Sequence, residues 1–206
     1  ANIFMLDTLI DYNADKEKWE KNFVKGFDFS KIKNYKELNA LYKEYFKEMC
    51  NLATIPFYWS SLEPEKGKTR YFKDEPHINR RPAPMDCVKF CKENGIRAKA
   101  HCLNYDGHDP KWVQNLSTTQ EVKAELDHHF KECAEIFAND IPEWEVTNET
   151  LVLYPQPGGE TVFYRDEDFV NWSFETARKY FKDNKYVVTD EVKDTDEKVN
   201  EETIES

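Results

Sequence analysis

The chain has 206 residues and a formal net charge of −11, from 29 Lys and Arg against 40 Asp and Glu. That length suits one domain with a sizeable core. The acidic balance excludes nucleic acid as a partner, because a phosphate backbone is repelled by such a surface, and a neutral ligand is easier to accommodate.

In chain order, short apolar runs alternate with longer amphipathic stretches, the pattern of an α/β fold. The first strand is predicted at residues 2–5, and residues 15–31 read as an extra helix plus loop. A helix at 35–49 then leads to a strand at 52–57, a helix at 84–93 to a strand at 96–101, and a helix at 118–137 to a strand at 144–147. Gly95 is placed as the C-terminal stop of the 84–93 helix. Residues 155–159, with two prolines and two glycines, form a turn, and a last helix at 166–181 precedes a strand at 186–189. Residues 1–190 therefore read as one α/β unit. Residues 191–206 read as a polar acidic tail or a truncated continuation, with only Val192, Val199 and Ile204 to bury.

Five cysteines, Cys50, Cys87, Cys91, Cys102 and Cys133, are an odd number and do not suggest a disulfide framework. Cys87 and Cys91 lie on one helical face with no second pair spaced for zinc, so they are expected to be buried thiols. No metal or organic cofactor is called for. No apolar run approaches the ~20 residues of a membrane span, and Ala1 follows no basic segment with an apolar stretch behind it. No membrane partner is expected, and the compartment is not legible.

The strongest chemical signal is Trp144-Glu145-Val146-Thr147-Asn148-Glu149, an alternating strand that delivers Asn148 and Glu149 to its C-terminal end. Barrel enzymes gather their catalytic groups at such strand ends. A carboxylic acid there can protonate a poor leaving oxygen while a neighbouring amide holds a sugar hydroxyl, so Glu149 is the candidate acid and Asn148 the clamp.

This segment resembles the Trp-Asp-Val-Val-Asn-Glu strand of family 10 glycoside hydrolases, the xylanase family, with Glu145 and Thr147 as departures. Upstream, Ala100-His101-Cys102-Leu103-Asn104-Tyr105, followed by Pro110-Lys111-Trp112-Val113, is similar to the family's Gly-His-Thr-Leu-Val-Trp-His segment and the Leu-Pro-x-Trp after it. The run Trp59-Ser60-Ser61-Leu62-Glu63-Pro64-Glu65-Lys66-Gly67 is similar to its Trp-x-x-Leu-Glu-Pro-x-x-Gly loop. Phe163-Tyr164-Arg165-Asp166 and Tyr186-Val187-Val188-Thr189-Asp190 are similar to its fifth-strand region. The resemblance implies Glu149 as catalytic acid/base, His101 as a glycone-binding residue, and Asn148, Tyr105 and Asp106 as further substrate contacts. His108, His128 and His129 receive no such support.

Two departures stand out. The family's Glu-Asn-x-x-Lys cluster on its second strand aligns with Thr54, Ile55 and Tyr58, which removes polar groups that grip the sugar. Its Trp-His aligns with Tyr105-Asp106, which keeps a stacking ring and makes the pocket more acidic.

The resemblance implies an incomplete (β/α)8 barrel, about the first five β/α units, expected to be a truncated form or gene fragment. It also implies a retaining two-carboxylate hydrolase of β-1,4-linked, xylan-like plant polysaccharide, extracellular by resemblance alone. Retention needs a second carboxylate about 5–5.5 Å from the acid, which the family carries on a seventh strand that this chain is not expected to reach. Asp190 and Glu191 are poor substitutes, because attack must come from the opposite face of the sugar. The isolated chain is therefore expected to be inactive. The alternative is a noncatalytic carbohydrate-binding or interaction module whose open barrel edge is covered by a second chain. A barrel enzyme acting on a small acid or phosphate is disfavoured, because no Gly-rich phosphate loop or metal-ligand cluster is visible.

Overall fold

A computed structural model of the chain describes residues 35–72, 83–150 and 161–189. Four strands form one parallel sheet in the order β1-β2-β3-β4: β1 (Leu52–Pro56), β2 (Arg97–His101), β3 (Glu143–Asn148) and β4 (Lys185–Thr189). Helix α1 (Tyr35–Met49) leads into β1, and every later strand is reached through a helical crossover. The crossovers hold α2 (Trp59–Leu62) and α3 (Pro84–Glu93), then α4 (Lys111–Gln114) and α5 (Thr119–Phe137), then a 3-10 turn (Val162–Arg165) and α6 (Phe169–Tyr180). Spatial order equal to sequence order is what repeated β/α units produce when each crossover lays its strand beside the previous one. The predicted strand at 2–5, the helix and loop at 15–31, the turn at 155–159 and the tail at 191–206 lie outside the described residues.

The two faces of the sheet differ because successive side chains of a strand point to opposite sides. Ala53, Ile55, Ala98, Ala100, Trp144 and Val146 are buried and belong to one core with the helices. Trp144 anchors it, its ring centroid 5.0 Å from Phe57 and 4.5 Å from Phe181, while Phe57 meets Phe137 of α5 edge-on at 5.1 Å. Helix α5 supplies Val122, Leu126, Phe130, Cys133 and Phe137, each 0 % exposed, at the three- and four-residue spacing of one helical face. Cys87, Cys91, Cys102 and Cys133 are buried free thiols, and Cys50 is half-buried.

Local chemistry sets the element ends. At the end of α3, Gly95 takes φ +65° and Ile96 N–H bonds to Cys91 O at 2.9 Å, a left-handed closure that glycine makes without a Cβ penalty. Helix α5 opens on a capping box: the Thr118 hydroxyl accepts from Glu121 N–H, and the Glu121 carboxylate accepts from Thr118 N–H. The helix expected from residue 166 starts instead at Phe169. Asp166 accepts the N–H of Asp168 at 3.1 Å and the ammonium of Lys123 at 2.9 Å, which holds that stretch as a turn.

Because Trp144 is fully buried between sheet and helices, Trp144→Ala should destabilise the fold by about 3–5 kcal/mol. Chemical denaturation monitored by far-UV circular dichroism reads this directly. Thr118→Ala, which removes only the cap, should cost about 1 kcal/mol in the same measurement.

Candidate functional site

The strand ends converge through the parallel register: Pro56 of β1 pairs with His101 of β2, and Ala100 with Trp144 of β3. On the face opposite the core, Lys99 and His101 alternate along β2 beside Glu145 of β3. The Glu145 carboxylate is only 1 % exposed and bonds Lys99 Nζ at 2.8 Å through one oxygen and His101 Nδ1 at 2.9 Å through the other. Burial pushes this carboxyl up, but the hydrogen bonds from His101 and Lys99 outweigh burial and hold it below the usual carboxylate range.

A rim of half-buried side chains surrounds this pair. The Tyr58 hydroxyl lies 3.1 Å from His101 Nε2, and its ring stacks on His108 with centroids 4.2 Å apart and planes 23° apart. Tyr105 is tilted against both, 6.3 Å from Tyr58 and 4.8 Å from His108, and its hydroxyl donates to Glu149 Oε2. Burial, then the hydrogen bond to Glu149, pushes the Tyr105 phenol up, so it keeps its proton and acts as a donor. Glu149 ends the strand with φ +54°, left-handed backbone that costs a non-glycine residue about 1–3 kcal/mol. The ladder between β3 and β4 shifts register between Glu145 and Thr147, a bulge of the kind found where side chains are re-aimed near sites.

The loop after β2 carries the rim and is fastened from beneath. Asn104 is 2 % exposed, donates to Ser173 Oγ of α6 at 2.7 Å and accepts from the Tyr164 hydroxyl. Asp109 accepts from the Thr161 hydroxyl at 2.7 Å, and Asp106 accepts from Thr161 N–H at 3.3 Å. Trp59 and Gly67 N–H both bond to the Glu63 carboxylate, at 2.9 and 2.7 Å, and Trp112 bonds to Glu63 O at 3.0 Å, so the Glu63-Pro64 turn is a clasp between loops. His129 is stacked on Trp59 at 4.5 Å inside the core, where burial, then His128, holds it down to about 3.

Of the residues singled out from the sequence, His101, Tyr105 and Glu149 lie along one chain of contacts. Asn148, 7 % exposed, closes β3 immediately before Glu149. Asp106 is equally buried, and it accepts from the loop backbone at Thr161. Sequence reasoning did not place Tyr58, His108, Lys99 or Glu145 in the site. A signal for two of them was present: charged residues at every second position of Arg97-x-Lys99-x-His101 and Glu143-x-Glu145 mark a polar sheet face. Tyr58 and His108 come together through the register of β1 against β2 and the bond from Ser60 N–H to His108 O at 2.7 Å, and no spacing rule shows that.

The family model described as "Glycosyl hydrolase family 10" matches residues 16–205. A β-1,4-xylanase of Dictyoglomus thermophilum is 26 % identical over 141 residues, covering 64 % of this chain and 38 % of its own length. The anti-sigma-I factor RsgI6 of Acetivibrio thermocellus is 23 % identical over 157 residues, covering 73 % of this chain and 18 % of its own. Among solved structures, native xylanase 10B from Thermotoga maritima superposes with a TM-score of 0.61 at 20 % identity, covering 79 % of this chain and 47 % of that one. Xylanase 10B from Thermotoga petrophila in complex with xylobiose superposes with a TM-score of 0.59 at 19 % identity, covering 74 % and 45 %. The four parallel strands thus correspond to part of a TIM barrel, and the chain spans less than half the length of each of these relatives.

The Glu145 grip carries a stability signature. A carboxyl held below its unfolded value stabilises the fold above that value, near pH 4.3, and the contribution is lost as pH falls through the lower, folded value. Glu145→Gln should therefore cost about 1–3 kcal/mol at pH 7, the range for leaving buried polar partners unmatched. The gap from the native chain should close below about pH 4, as read from urea unfolding at a series of pH values.

Proposed function

Because the chain belongs to glycosyl hydrolase family 10, we propose that it forms the acid/base side of a cleft that hydrolyses β-1,4-linked, xylan-like polysaccharide with retention of configuration. The observation that carries this reading is the half-buried Glu149 at the C-terminal end of β3, held by the Tyr105 hydroxyl and joined through aromatic rings to His101. Glu149 is assigned as the group that protonates the leaving oxygen and then takes a proton from water. His101, Asn148 and Tyr105 are assigned to the sugar side, and Asp106 to the loop that carries Tyr105. The names of the xylanase relatives and the xylobiose complex support a β-linked xylo-oligosaccharide as ligand. The opposing carboxylate is not assigned.

A second reading is a binding or interaction module without turnover. It is favoured by one observation: a relative that covers 73 % of this chain is named as an anti-sigma factor and not as an enzyme.

The two readings separate in one assay. Xylo-oligosaccharides and aryl xylobiosides with activated leaving groups are offered to the chain alone and to the chain joined to the C-terminal half of a family 10 barrel. The joined protein should turn over both. Glu149→Gln should lower its rate on oligosaccharides by about 10²–10⁴-fold, the usual worth of general acid catalysis, and affect the glycosylation step with activated substrates much less. Oligosaccharide turnover undiminished in the Gln variant would remove Glu149 from the mechanism. Saturable binding with no turnover in either form would favour the module.

A further inference from the structure

Asparagine two positions before serine or threonine, with any residue but proline between, is the acceptor pattern, or sequon, for N-linked glycosylation. It occurs three times among the described residues: Asn115-Leu116-Ser117, Asn148-Glu149-Thr150 and Asn171-Trp172-Ser173. The fold treats the three differently. Asn148 is 7 % exposed at the end of β3 and Thr150 is 8 % exposed, so a glycan there has no room unless the strand end lifts away. Asn171 is exposed on α6, but Ser173 is 0 % exposed. The Ser173 hydroxyl donates to Phe169 O at 2.7 Å and accepts from Asn104 Nδ2 at 2.7 Å. Residues two apart on a helix also face different sides, which keeps the amide and the hydroxyl of that sequon apart.

Asn115 and Ser117 are both exposed and lie in the irregular stretch between α4 and α5. Among the described residues neither side chain makes a hydrogen bond. The stretch is held by its neighbours: Leu116 packs half-buried against the core, and the Glu121 carboxylate accepts from Ser117 N–H at 3.2 Å and Thr118 N–H at 3.0 Å. In an extended segment, residues two apart share a side, so amide and hydroxyl can be presented together. Drawing Asn115 to Ser117 into that form opens the bonds from Asn115 N–H to Lys111 O at 3.2 Å and from Leu116 N–H to Val113 O at 3.0 Å. Those belong to the end of the four-residue α4, whereas the same change at Asn171 would unwind α6.

We propose that Asn115 is an acceptor for N-linked glycosylation, the donor being an oligosaccharide carried on a lipid pyrophosphate. In the transfer the Asn115 side-chain nitrogen attacks the anomeric carbon and a C–N bond forms. The anomeric C–O bond breaks, the lipid pyrophosphate leaves with the electron pair, and one amide proton passes to a base of the transferase. The modification adds a bulky, solubilising group at the surface. It is independent of the chemistry of the cleft, and in the cell it rests on the extracellular destination that the family resemblance implies.

The test offers the purified, folded full chain to the oligosaccharyltransferase of solubilised eukaryotic microsomes with a lipid-pyrophosphate-linked oligosaccharide. Synthetic peptides carrying each of the three sequons serve as acceptors in parallel. Supplying the transferase makes the outcome independent of the chain's natural compartment. The folded chain should gain a single glycan, which peptide mass mapping places on Asn115 and which peptide-N-glycosidase removes. Asn115→Gln and Ser117→Ala should each lose the mass shift completely with the thermal midpoint unchanged, because both side chains are exposed. Asn171→Gln should keep the shift. All three peptides should be modified, which assigns the selection among sequons to the fold. A glycan on Asn148 or Asn171 of the folded chain would overturn the proposal. So would a folded chain left unmodified, or refusal of the peptide that carries Asn115.

Discussion

The Glu145 carboxylate, buried between β2 and β3, is the constraint from which the rest of the site follows. An ion taken out of water loses several kcal/mol of hydration, and here two partners, Lys99 and His101, meet one oxygen each. Both partners come from β2 and alternate on the same face, so satisfying Glu145 fixes how β3 lies against β2 on the cleft side. The core side is governed independently by Trp144 and Val146, the neighbours of Glu145 in the strand. A one-residue slip would exchange the two sets, burying the carboxylate among Phe57, Phe137 and Phe181. The register is thus held from both faces at once.

Above that anchor the polar groups are arranged in two tiers with different work. The lower tier, Asn104, Asp106, Asp109, Tyr164, Thr161 and Ser173, is buried and mutually hydrogen-bonded. It ties the loop after β2 to the 3-10 turn and to α6. The upper tier, Tyr58, Tyr105, His108 and Glu149, is half-buried and consists mostly of rings in tilted or stacked contact. Rings with two or fewer free torsions lose little entropy when a ligand orders them further. The left-handed backbone at Glu149 adds strain within the upper tier, at the end of β3.

What could be read from the sequence was whatever is local. Helix α3 ends where Gly95 stops it, α5 begins where Thr118 caps it, and β3 shows its alternation openly, so these elements were legible within a residue or two. The start of α6 was not, because Asp166 competes for its own backbone and for Lys123, a contact 43 residues away. Glu149, His101 and Tyr105 were legible because a motif carried them. Tyr58 counted from the sequence as a loss of polar function, and His108 as an unsupported histidine. Both acquire their place from the pairing of β1 with β2 and the Ser60 N–H to His108 O bond between the loops that follow, which no one-dimensional pattern contains.

The departures from the family pattern are coupled through charge. The phenol of Tyr58 lies against the His101 imidazole, and Lys99, two residues earlier in β2 and on the same face, is 16 % exposed. Lys99 is already committed to Glu145, so the two formal charges cancel beneath the rim rather than facing the cleft. Among the described residues, the rim around His101 consists of hydroxyls, imidazoles and aromatic faces together with the Glu149 carboxyl. Such a surface matches an uncharged polyhydroxyl chain. An acidic substituent would meet the −11 charge of the chain, which repels it. With a phenol just beyond the end of β1, the counter-ion to Glu145 is provided from inside the sheet, by Lys99 of β2.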